Sequence, residues 1–218
     1  MEKIMYLAMT ICAALGFGHG LSCFFRKRSA LYIRMIVFGI GCAMLGRLFE
    51  TLQLFTNGEI PPGFHVGILG VIGSFLFFFS SNYGQMDSLV DDGTKKFLRY
   101  RLISLIAPAV MIGLYAVCLP RIETVQSAVV GGIETIVIAM AAYFHLKHVI
   151  IPDVDLGIIR SLRYYDLLAL TYAVLCMAEQ VLTVYPIPAA LIAVYVLMCI
   201  ALLLFVPILK GGMKKWVI

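Results

Sequence analysis

The chain has 218 residues, 62% of them hydrophobic and only 13% charged, with a formal net charge of +5. That charged share is about half of the roughly 25% found in soluble domains, and a mean hydropathy of +0.99 leaves too little polar side chain to cover a water-facing surface. An all-α, polytopic membrane protein follows, a single domain over 1–218 in which seven spans of about 22 residues use most of the chain and leave no room for a kinase, nuclease or nucleotide-binding domain.

The first apolar run, 4–25, is flanked at its start only by Glu2 and Lys3 and has no small-x-small cleavage site, so it reads as a retained span and not a signal peptide. Arg26, Lys27 and Arg28 separate it from the second run, 31–54, which Asn57-Gly58 and Pro61-Pro62 close. The third run, 63–83, carries Gly63, Gly67, Gly70 and Ser74 on one helical stripe with Gly73 beside it, a pattern that lets two helix backbones approach closely. Asn82 to Phe97, with Asp87, Asp91, Asp92, Lys95 and Lys96, then reads as a solvated loop or a docking point for a partner.

The fourth span, 99–119, contains Pro108, which removes a backbone donor and should kink or end the helix. The fifth, 126–147, ends in His145-x-x-His148; beside Lys147 these read as interface histidines, since the nearest acids in sequence, Asp153 and Asp155, lie beyond Pro152, and no metal site is expected. In the sixth span, 162–184, Asp166 is accounted for by a pair with Arg163, and in the seventh, 187–209, Pro207 should kink or terminate the helix. His19 and His65 read as satisfied bundle histidines, and the six cysteines as small buried hydrophobes. No Lys, Arg, His, Asp or Glu occurs between Pro188 and Val206, so there is no lysine for a retinal linkage.

Fourteen of the seventeen basic residues follow spans one, three, five and seven, while the other side carries only Lys3 and Arg121. The positive-inside rule therefore predicts an outer N-terminus and a cytoplasmic C-terminus, in a cell's inner (plasma) membrane. No Gly-rich phosphate loop and no Cys-x-x-Cys pair occur, so no cofactor is expected, and the basic excess points to the anionic headgroups of the lipid bilayer and not to nucleic acid.

Four ionisable residues lie within the apolar runs: Arg47 and Glu50 in span two, Glu134 in span five and Glu179 in span six. Each would cost about 2.5–3.5 kcal/mol facing lipid at mid-depth, so they are expected to pair or to line water. A rise of 1.5 Å per residue puts Arg47, Glu134 and Glu179 at one level, roughly 10 Å below the outer ends of their spans. Arg47 and Glu50 are three apart and share a face. Gln180, Gln53, Thr51, Tyr195 and Tyr115 add polarity nearby. One reading is a structural clasp in which Arg47 bridges Glu134 and Glu179; another is a ligand or ion site of Arg47, Glu50, Glu134, Glu179, Gln180 and Tyr195; a third is a proton relay.

Leu45-Gly46-Arg47-Leu48-Phe49-Glu50, the Gly67-Ile68-Leu69-Gly70 run leading to Phe77-Phe78-Phe79-Ser80-Ser81-Asn82-Tyr83-Gly84, and Leu105-Ile106-Ala107-Pro108 resemble the N-terminal seven-helix membrane sensory module of bacterial histidine kinases and diguanylate cyclases. The resemblance covers spans two to four and implies sensing of an outside ligand, with Glu50 as its site residue. The chain stops eight residues after Lys210, so the resemblance implies signalling through a separate cytoplasmic partner.

The sequence thus predicts a bacterial receptor or sensor that takes a small polar or cationic ligand into an outward-facing pocket within the membrane. The alternative is a small-solute or ion carrier coupled to protonation of a buried Glu. An intramembrane enzyme would need a nucleophile and base at one level, and the sequence offers none.

Overall fold

In the computed structural model of the chain, the described residues are 2–25, 29–61, 63–83, 87, 91, 93–152 and 158–213, the side chains of 158–161, 212 and 213 excepted. Arg26, Lys27, Arg28, Gly84, Asp92, Asp153, Asp155, Lys214 and Lys215, and the side chain of Arg160, lie outside them.

Among the described residues eight α-helices follow one another: α1 (Glu2–Phe24), α2 (Leu31–Thr56), α3 (Val66–Ser81), α4 (Leu98–Ser104), α5 (Ile106–Cys118), α6 (Val125–Ile150), α7 (Ile158–Val184) and α8 (Pro188–Met213). Single 3-10 turns at Lys95–Phe97 and Leu119–Arg121 extend the α4–α5 segment at both ends. Among the described residues six stretches are long and apolar enough to cross a membrane: α1, α2, Lys95–Arg121, α6, and most of α7 and α8. Leu45, Leu52, Ile106, Ile136 and Leu197 stand exposed around the bundle, apolar surface that suits lipid and not water. The chain is an all-helical, multi-pass membrane protein on these grounds.

The third predicted span is the one that falls short. α3 has 16 residues, about 24 Å of rise against the roughly 30 Å of a hydrocarbon core. His65 is extended at φ −146, and Gly63 takes φ +80, a left-handed conformation that belongs to a turn. Gly63 therefore leaves the expected glycine stripe. Gly67 and Gly70 keep to it and meet Gly46 of α2 backbone to backbone: a Cβ on Gly46 would lie 2.6 Å from the Gly67 carbonyl oxygen.

Pro108 acts as expected, though four residues upstream. Its ring opposes the carbonyl of Ser104, and the helix is interrupted at Leu105, between α4 and α5. Pro207 does not end its helix, because α8 runs on to Met213; the missing donor orphans only the Leu203 carbonyl, one turn before it. Thr124 caps α6 by accepting from the Ser127 amide at 3.1 Å, and Pro188 opens α8 at the position where a missing N–H costs nothing.

The helices pack as a closed ring in the order α1, α2, α3, α6, α7, α8 and back to α1, with α4 and α5 outside against α6 and α7. Phe75, Phe78, Tyr172, Phe205 and Ile138 fill the middle of the ring and leave polar groups above and below this plug. Cys118 and Cys176 are buried, but the other four cysteines are only half-buried, and all six are free.

Candidate functional site

Near the end of the bundle that carries Glu2, Arg47 of α2 is 4% exposed and reaches across the ring. Its Nη1 donates to Glu50 Oε2 at 3.0 Å and to Glu179 Oε1 at 2.8 Å, while Nη2 donates to the second oxygen of Glu179. The guanidinium fork thus grips Glu179 bidentately and takes Glu50 as an i,i+3 partner, the geometry Arg supports best. α2 and α7 share no extended packing surface, so the ion pair joins two helices that would otherwise stand apart. The Thr51 hydroxyl donates to the Arg47 carbonyl at 2.7 Å and lies 2.8 Å from Thr10 of α1, which anchors this turn of α2 to its neighbour.

Arg47, Glu50, Glu134, Glu179, Gln180 and Tyr195 all line one cavity of about 740 Å³, whose rim is formed by Glu2, Glu59, Ile122 and Pro186. Leu54, Val71, Val130, Leu182 and Leu191 supply apolar wall. The clasp is not the one expected: Arg47 bridges Glu50 and Glu179, and among the described residues Glu134 has no ion-pair partner within 4.0 Å. Glu50, three residues from Arg47 on the same helix face, reaches the guanidinium from its own helix and takes the place expected for Glu134. Gln180 Nε2 is buried beside Glu134 without reaching it in full hydrogen-bond geometry. Gln53 turns away and accepts from Asn57, outside the cavity lining.

Two tyrosines complete this picture. Tyr6, which the sequence reading passes over, stands 5.7 Å under the Arg47 guanidinium and meets the Tyr195 ring edge-on at 5.6 Å, accepting the Tyr195 hydroxyl at 3.4 Å. Tyr115 of α5 donates to the Ala128 carbonyl and lies on Gly131, where a Cβ would come within 3.1 Å of its ring. His65 also lines the cavity; it stacks on Phe49 at 6.0 Å with a buried, unpartnered Nδ1, so it is not the satisfied histidine expected.

At the opposite end a second polar cluster contradicts three local readings. Asp166 does not pair with Arg163, which donates to the Ile151 carbonyl at 2.7 Å; instead His145 Nδ1 lies 2.8 Å from Asp166 Oδ1, and Asn82 Nδ2 donates to the same oxygen at 3.2 Å. His145 and His148 are buried, not interfacial: His148 Nε2 is 3.3 Å from Asp87. Asp87 and Asp91 fold back onto α6, where Lys147 pairs with both, at 3.1 Å for Asp91, so this part of the connection is no free solvated loop. The Arg101 guanidinium, joined by the Gly93 amide and Lys147, holds the Asp91 carboxyl well below the usual range despite partial burial. Burial alone would push Asp87 up, but the hydrogen bonds of His148 and Lys147 outweigh it and hold that carboxyl low. Among the described residues no set of three or more His, Cys, Asp or Glu is arranged to hold a metal.

What the two clusters do must come from their own chemistry, because comparison with protein-family models, curated proteins and solved structures finds no match to the chain.

Proposed function

We propose that the protein is a membrane receptor that admits a small polar or cationic ligand to the cavity at the end of the bundle bearing Glu2. The observation that carries this reading is the cavity itself: about 740 Å³, within the range of small-molecule sites, floored by buried charge. Packed bundles close such space unless something fills it. The distribution of fourteen basic residues among the connections after spans one, three and five and after span seven supports an outward cavity and a cytoplasmic C-terminus. Ligand binding would then bias the α2–α7 contact, and the basic cytoplasmic face would pass the change to a separate partner.

A second reading, a carrier, is favoured by one feature. The opposite end is tied by Lys147, Asp87, Asp91 and Arg101 into a closed group, the arrangement a shut inner gate would have.

Purified protein tested for thermal stability against amines, cations, carboxylates and neutral solutes decides whether the cavity binds. A panel that never shifts the melting temperature overturns both readings. Uptake into proteoliposomes, with and without a pH gradient, then separates them: binding without uptake supports a receptor, and accumulation driven by the gradient supports a carrier.

A further inference from the structure

The cavity of the proposed receptor selects for charge, and the residues around it narrow the ligand to one chemical class. We propose that it binds an organic ammonium ion with an apolar body, the cationic head held by Glu134 and by the tyrosines that face the cavity. This rests on the reading of the cavity as a binding site and goes beyond it.

Anions are disfavoured first. Glu50 and Glu179 already occupy three of the Arg47 N–H donors and answer its charge, so an incoming carboxylate or phosphate would meet a guanidinium that is already paired, amid further carboxyls. The lining holds one Arg against three Glu at the floor, with Glu2 and Glu59 at the rim, so acidic side chains outnumber basic ones around the whole cavity. Among the described residues Glu134 is the floor carboxyl without an ion-pair partner, with the Gln180 amide as its polar neighbour.

The aromatic residues separate an organic cation from a metal ion. Tyr6, Tyr115 and Tyr195 all line the cavity. Tyr115 is fixed against Gly131 through its bond to Ala128, one helical turn from Glu134 on α6, and Tyr6 and Tyr195 hold each other edge-on. Ring faces attract weakly hydrated ammonium groups, whereas a divalent ion needs several oxygen ligands converging at about 2.0–2.6 Å. No such set of three is present among the described residues. The Leu54, Val71, Val130, Leu182 and Leu191 wall gives the rest of the ligand an apolar seat.

The full-length chain in non-ionic detergent is titrated with hexylammonium, hexyltrimethylammonium, hexanoate, sodium chloride and magnesium chloride at matched ionic strength, with melting temperature as the readout. Wild type is expected to be stabilised in a dose-dependent, saturable way by the two ammonium probes and not by the others. Glu134→Gln, whose carboxylate holds no ion-pair partner to lose, is expected to fold and to weaken ammonium binding about tenfold or more. Tyr115→Leu is expected to weaken it about three- to tenfold. Saturable stabilisation by hexanoate or magnesium in place of ammonium, or unchanged ammonium affinity in Glu134→Gln, overturns the ligand class while leaving a binding cavity. Silence from every probe overturns the cavity reading too. Should Glu134→Gln fail to fold, undiminished binding in Tyr115→Leu overturns the proposal instead.

Discussion

At one end of this bundle a single guanidinium serves two carboxylates beside a cavity and leaves a third without a cation. At the other end Lys147 and Arg101 pair with Asp87 and Asp91, and His145 and Asn82 engage Asp166. The two clusters use the same kinds of side chain but reach charge balance differently. In the second, Asp87, Asp91 and Asp166 each have a cationic or hydrogen-bonding partner from the protein, and it reads as a structural closure. The first keeps one carboxyl, Glu134, without an ion-pair partner beside open space. Buried charge alone therefore does not identify function; buried charge that remains unanswered does.

Breaking each cluster should expose the difference. The largest effect is expected from Arg47→Ala, which leaves Glu50 and Glu179 facing each other without a cation: about 3–5 kcal/mol of stability, measured by denaturant or thermal unfolding in detergent. Asp166→Ala should cost less, about 2–3 kcal/mol, because it takes a hydrogen-bond partner from His145 and Asn82 but leaves no pair of carboxylates facing each other. Gly70→Ala tests neither cluster but the α2–α3 seam that positions Glu50; a Cβ there collides with the backbone of Gly46, and about 1–3 kcal/mol should be lost.

The smallest effect sharpens the comparison by pH. Asp87 and Asp91 are held low in the folded protein, so their contribution to stability is fully present above the ordinary aspartate value of about 3.9 and is lost as pH falls through the lower folded values. Wild type should therefore show a falling melting temperature below about pH 4, and Asp91→Asn a flatter acid limb. At neutral pH that variant should lose within about 1 kcal/mol, since Arg101 is partly exposed.

The sequence made some of this readable and hid the rest for identifiable reasons. Arg47, Glu50, Glu134 and Glu179 stood out because a charge inside an apolar run has no local explanation. Asp166 and His145 did not, because each had one: a neighbouring Arg163, a helix end beside Lys147. Their real partners lie 21 and 84 positions away, a separation no periodicity reports. Asp87 and Asp91 looked solvated because loop acids usually are. Tyr6 has no charge and so escaped a search for ionisable groups, although it sits under the guanidinium. The length of α3 was overestimated because hydropathy continues through residues whose backbone does not, as His65 and Gly63 show.

The Arg47–Glu179 pair has one more consequence, because it spans helices that do not pack on each other. A ring of helices around empty space tends to collapse, and a stiff bidentate pair acts as a strut that sets its width. Trading the triad for apolar residues, as in Arg47→Met with Glu50→Leu and Glu179→Leu, should then yield a protein at least as heat-resistant as wild type, since buried ion clusters are often replaced at no loss. Its cavity, without the strut, would close.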